Sequence, residues 1–121
     1  MVVKILFSSH YAETSLPIIR LTKSRNGKTG TATFLFIRPS LFQKKNFSEI
    51  LIEGMFLIWD KKRMVSYDIH LFFHEGKPFL IKTIFLFKSP KEWFSFLHFM
   101  SAYVKETGLS FDESENWKKD N

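Results

Sequence analysis

Cysteine is absent from this chain of 121 residues. Its absence rules out disulfides, thiol nucleophiles and Cys-based metal sites, and agrees with a reducing compartment. No apolar run approaches the roughly 20 residues that a membrane-spanning helix requires, because charges interrupt each one. The start, Met1–Ser9, is too short for a secretory signal core and is not Ser/Arg-rich like a transit peptide. The chain is therefore expected to stay on the side of the membrane where it is made. Acidic residues are few, 12 against 18 Lys and Arg, leaving a net charge of +6. That balance points to an acidic partner, an anionic surface or nucleic acid. An AT-rich coding sequence, which favours Phe, Lys and Ile, gives the same balance with no partner at all.

What is present is apolar and aromatic. The hydrophobic fraction is 45%, and Phe alone occurs 15 times. A buried Phe contributes roughly 1.5–3 kcal/mol by transfer, so one core forms without staples. The length predicts a single globular domain over residues 1–111 and a polar, charge-mixed tail over 112–121.

The pattern along the chain is mostly of period two. Val2–Phe7, Leu16–Lys23 and Gly30–Arg38 read as strands, with Ala32, Phe34 and Phe36 facing inward and Thr31, Thr33, Leu35 and Ile37 outward. Asn26-Gly27 signals the hairpin between the second and third, since both residues tolerate positive φ. Ser40–Ser48 reads as a loop and Leu51–Trp59 as a strand. Met64–Phe73 reads as one alternating strand, Glu75-Gly76 as a tight turn, and Phe79–Phe87 as the last strand. The period then changes. Ser89 caps a helix, Pro90 suits its first position, and Glu92 completes a capping box that contributes about 1 kcal/mol. Trp93, Phe96, Leu97, Met100 and Val104 follow at helical spacing, and Gly108 closes the helix. The fold class is α+β: an antiparallel sheet of consecutive hairpins with one C-terminal α-helix packed on a face. The opposite face, carrying Thr, Lys, Asp and His, is left for water or a partner.

Motifs for catalysis are lacking. Gly27-Lys28-Thr29 suggests a phosphate loop, but the first glycine of that motif falls on Thr22 and a strand follows instead of a helix. His70 and His74 would lie about 13 Å apart along a strand, too far to share an ion. No paired carboxylates and no Gly-x-Ser-x-Gly elbow occur. No enzyme, cofactor or metal is expected. Phe94 and Phe99 lie off the main helix stripe. Either they form an exposed contact patch, or the helix has a broader core face.

Basic residues gather in turns: Lys23, Arg25 and Lys28; Lys44 and Lys45; Lys61, Lys62 and Arg63. With aromatics interleaved along the strands, the pattern allows a small basic β-sheet module that binds single-stranded nucleic acid by charge and stacking. Burial of the same aromatics in the core is the competing reading.

Three segments carry a more specific signal. The first is Arg-Leu-Thr-Lys-Ser-Arg-Asn-Gly-Lys-Thr-Gly-Thr-Ala-Thr-Phe, beginning at Arg20. The second is Gly54-Met55-Phe56-Leu57-Ile58. The third is Lys88-Ser89-Pro90, with Glu92-Trp93, Phe96, Phe99-Met100, Tyr103 and Gly108-Leu109-Ser110-Phe111. In this order they resemble the Psb28 family of photosystem II assembly factors, also called reaction-centre protein W. Phe7–Glu13 departs from the pattern, Phe94 stands where the family favours a polar residue, and family members are commonly acidic or near neutral. The resemblance implies a small, cofactor-free, non-catalytic protein. It would be a peripheral membrane protein on the stromal or cytoplasmic side of the thylakoid, in a plastid if the AT-rich hint holds. It would bind transiently to assembly intermediates containing the larger inner-antenna chlorophyll protein and reaction-centre subunits, as a monomer. Docking is expected by addition of a partner's extended tail to a sheet edge. The expected contact residues are Thr22, Lys23, Ser24, Arg25, Lys28, Thr29, Thr31 and Thr33.

Overall fold

The computed structural model describes residues 3–109. The α+β class is observed: eight strands and one C-terminal helix. The strands are β1 (Val3–Ser8), β2 (Tyr11–Ala12), β3 (Ile18–Lys23), β4 (Gly30–Ile37), β5 (Met55–Trp59), β6 (Lys62–Ser66), β7 (Ile69–His74) and β8 (Lys77–Phe87), and the helix is α1 (Pro90–Thr107). They form two four-stranded antiparallel sheets rather than one, ordered β2-β1-β5-β6 and β3-β4-β8-β7. Each sheet is a pair of hairpins joined through its inner strands, so β1–β5 and β4–β8 are long-range pairings.

The stretch read as one strand over Met64–Phe73 is two strands in different sheets. The chain turns at Tyr67-Asp68, and Ser66 pins the corner: its hydroxyl donates to the Ile84 carbonyl and accepts from the Asp68 amide at 3.2 Å. The Asp68 carbonyl in turn accepts from the Ile84 amide at 3.1 Å. Ser66 is therefore buried and Tyr67 exposed, the reverse of simple alternation. β5 begins at Met55 instead of Leu51, and Leu51 lies exposed. The Ser40–Ser48 loop contains two 3-10 turns, Ser40–Gln43 and Phe47–Glu49.

The inward faces of the sheets meet in one core that includes Ile5, Phe7, Leu21, Phe34, Phe36, Met55, Leu57, Trp59, Ile81 and Phe85. Phe7 of one sheet meets Phe36 of the other edge-on at 5.1 Å between centroids. The helix closes this core against both sheets. Phe96 lies 4.7 Å from Phe87, and Phe99 lies 5.3 Å from Trp59. Contact with two sheets widens the apolar stripe: Phe99 and Tyr103 are buried, whereas Leu97 and Val104 are only half-buried. Phe99 thus belongs to a broad core face, and Phe94 alone is exposed. The helix ends form as read. Ser89 accepts from the Glu92 amide, Pro90 follows it, and Gly108 takes the left-handed conformation at φ 75°. Leu109 packs against the core. The predicted tail, Asp112–Asn121, lies outside the described residues.

Glu13 anchors the long loop. Its carboxylate accepts from the Ser40 amide at 2.8 Å, the Leu41 amide at 3.0 Å and the Ser15 amide at 3.0 Å, and from both serine hydroxyls. Burial pushes this carboxyl up. The hydrogen bonds outweigh burial and hold it below the ordinary carboxylate range. Burial, aided by the Glu13 charge, pushes the Tyr103 phenol up to about 12.

Candidate protein-docking margin

The Arg25–Lys28 turn is built by its own polar side chains. The Ser24 amide donates to the Thr29 carbonyl at 3.0 Å, and the Gly27 amide to the Ser24 carbonyl at 2.9 Å. Asn26 Oδ1 accepts from the Lys28 amide at 2.9 Å and the Ser24 hydroxyl at 2.6 Å, and Thr29 Oγ1 donates to Ser24 Oγ at 2.8 Å. Only Gly27 takes positive φ here; Asn26 acts through its side chain, as an Asx turn. The two-residue turns with positive φ at both positions lie instead at Asp60-Lys61 and Glu75-Gly76.

The residues expected at the docking site fall into three groups. Thr22, Thr31 and Thr33 lie on the outward face of the second sheet, with Thr22 opposite Thr31 and Arg20 opposite Thr33. Ser24 and Thr29 are committed to bracing the turn. Arg25 and Lys28 are exposed at its tip, whereas the Lys23 side chain folds back over Gly27.

Strand alternation shows which backbone groups remain for a partner. In an antiparallel strand each residue turns both its N–H and its C=O to one side. The Ser24–Thr29 bond directs Thr22 and Thr31 toward one another, and therefore Ala32 toward Phe85 on β8. Lys82, Ile84 and Leu86 then face the β7 side. β7 pairs with β8 as far as Thr83, Asp68 and Ser66 satisfy Ile84, and Leu86 faces outward past the end of the ladder. In the first sheet, the Ile5 carbonyl accepts from the Glu13 amide at 2.8 Å. That bond sets the alternation through β5, so that on β6 Arg63 and Val65 point away from the sheet.

These two margins face one another across a groove of about 940 Å³ between β6 and β8, closed at one end by the start of α1. Lys62, Arg63, Lys88 and Lys91 line it, with Asp68 and Glu92 as counter-charges and Tyr67 and Leu86 as exposed apolar surface. A shallower depression of about 420 Å³ joins Leu86 and Phe87 to Thr22, Arg25 and Thr31. The basic turn therefore sits at the same end of the second sheet as the groove. Nothing in the local sequence marks the groove except Leu86, an apolar residue on the outward parity of its strand.

Among the described residues, no three His, Cys, Asp or Glu side chains converge on a metal site. His70 Nε2 lies 2.7 Å from Asp68 Oδ1, and His74 lies 3.9 Å from Glu75. Among the described residues, no helix is long and apolar enough to cross a membrane. Phe34, Phe36, Phe85 and Phe87, the rings interleaved near the basic turn, are all buried. They offer no stacking platform, and the nucleic-acid reading gains no support.

A family model described as Psb28 protein matches residues 5–111. The photosystem II reaction center Psb28 protein of Trieres chinensis is 40% identical over 114 residues, covering 94% of this chain and 99% of that relative. The protein of the same description from Synechocystis is 38% identical over 112 residues, covering 93% and 98%. That of Pyropia yezoensis is 36% identical over 104 residues, covering 86% and 90%. With a family match over nearly the whole core and relatives similar from end to end, this chain belongs to the Psb28 protein family.

Proposed function

We propose that this protein is a non-catalytic photosystem II assembly and repair factor. It binds transiently to intermediates containing the larger inner-antenna chlorophyll protein, on the stromal or cytoplasmic face of the thylakoid. Family membership supports the association with photosystem II. The mode of binding rests on the paired open margins. An extended tail of a partner lies in the β6–β8 groove and takes up the outward N–H and C=O groups of Leu86, Arg63 and Val65. Such a tail would link the two sheets through itself. Arg25 and Lys28 flank the groove's end and meet acidic or carbonyl groups of the same partner.

The test is co-purification of tagged protein with photosystem II intermediates from thylakoids. Val65→Pro and Leu86→Pro each remove one outward amide without breaking a ladder bond. Both are expected to reduce recovery strongly, and Arg25→Glu with Lys28→Glu to reduce it partly. Full recovery with both proline variants would overturn the groove. If only the charge reversal were damaging, the margin would instead be β3, where Ile19 and Leu21 direct their amides outward.

A further inference from the structure

The outward face of the second sheet has more apolar surface than its threonines suggest. Register places Ile18 beside Leu35 and Lys82, and Ile37 beside Leu80 and Phe72. Ile18 is 49% exposed, Ile37 57% and Phe72 42%. These side chains form a continuous apolar area away from the helix and the core. Arg20 and Lys82 stand within it, and the exposed Arg25 and Lys28 lie at its edge. At the β7 margin of this face His70 stands opposite Lys82, and its Nε2 lies 2.7 Å from Asp68 Oδ1. Cations therefore outnumber carboxylates there, with Asp68 already engaged by His70 and Glu75 held at the β7–β8 turn.

We propose that this face rests on an anionic lipid bilayer surface. The apolar side chains enter the headgroup region, while Arg20 and Lys82 meet lipid phosphates. Two observations select this occupant over a second copy of the chain. An isologous dimer would set this cationic patch against its own copy, with the Asp68 carboxylate at its margin already engaged by His70. The net charge of +6 would add long-range repulsion between copies and long-range attraction to an anionic surface. The inference does not depend on the groove reading, because it uses a different face and a different partner.

The probe is vesicles of phosphatidylcholine, with and without phosphatidylglycerol. Purified protein is expected to co-sediment with the anionic vesicles and not with the neutral ones. Raised salt should weaken but not abolish binding, since screening leaves the apolar contacts intact. Ile18→Ser with Ile37→Ser should weaken binding by about tenfold or more, from the apolar area lost. The chain has no cysteine, so Ile37→Cys and Ser101→Cys can each carry a single environment-sensitive dye. The label at position 37 should shift to the blue on anionic vesicles, and the label at 101, on the exposed side of α1, should not. Three results would overturn the proposal: no binding to anionic vesicles, equal dye shifts at both positions, or a concentration-dependent dimer that Ile18→Ser with Ile37→Ser dissociates.

Discussion

Glu13→Gln tests how the long loop is held in place. One carboxylate accepts from three backbone amides and two hydroxyls. The hydroxyls of Ser15 and Ser40 can rotate to suit an amide, but the three backbone N–H groups cannot. Each loses about 1 kcal/mol when its acceptor changes from charged to neutral. The Gln –NH₂ must also face one of them, and Leu41, fully buried, is left with an unsatisfied donor. The expected loss at neutral pH is about 3 kcal/mol, a large share of the roughly 5–15 kcal/mol that holds a domain together. Urea titration followed by tryptophan fluorescence would read it, since Trp59 and Trp93 are buried. The midpoint should fall with the slope unchanged. The pH dependence has a definite sign. The Glu13 carboxyl titrates lower in the folded chain than in the unfolded one. Its contribution is therefore present above the ordinary carboxylate value and is lost as pH falls toward the depressed folded value. The wild-type and Glu13→Gln curves should lie furthest apart at neutral pH and converge in acid. A gap that stays constant with pH, or one below about 0.5 kcal/mol against the 1–3 kcal/mol typical of an unsatisfied buried donor, would refute this account.

Gly30→Ala should cost roughly 1–3 kcal/mol by overpacking, read as a lower thermal midpoint, because a Cβ there would lie 2.7 Å from the buried Trp93 ring and 2.8 Å from the Thr22 carbonyl oxygen. Ser89→Ala should cost about 1 kcal/mol in chemical denaturation through loss of the helix cap. Ultraviolet phenolate absorbance should show a tyrosine step near pH 12 that disappears in Tyr103→Phe. Because the folded phenol titrates higher, its contribution to stability is present below the ordinary tyrosine value and is lost as pH rises through about 12.

The contact residues read from the sequence are placed differently by the fold, for physical reasons. Arg25 and Lys28 stand free at the tip of the turn because the hydrogen bonds of Ser24, Asn26 and Thr29 hold it open beneath them. Those bonds engage the hydroxyls of Ser24 and Thr29, which stay half-buried beside the depression at Leu86. Thr22, Thr31 and Thr33 face outward as their alternation requires, and the same alternation sets Leu35 and Ile37 beside them, with Ile18 joining from β3.

Local chemistry was sufficient for the elements whose signals lie within a few residues. The Ser89–Glu92 cap, the Gly108 stop, the Glu75-Gly76 turn and the inward parity of Ala32, Phe34 and Phe36 follow from caps, φ preferences and a period of two. Ordered motifs along the chain were likewise sufficient to indicate the family. The division of eight strands into two sheets was not legible, because β1–β5 and β4–β8 join segments far apart in sequence and nothing local chooses the partner. Nor was the corner at Tyr67-Asp68. An alternating run reads the same whether it continues in one sheet or crosses to another, and the long-range bonds of Ser66 and Asp68 to Ile84 tie the crossing in place. The groove exists because that crossing ends the β7 ladder at Thr83 and leaves Leu86 facing Arg63 and Val65. It is a product of long-range packing, and no window of the sequence contains it.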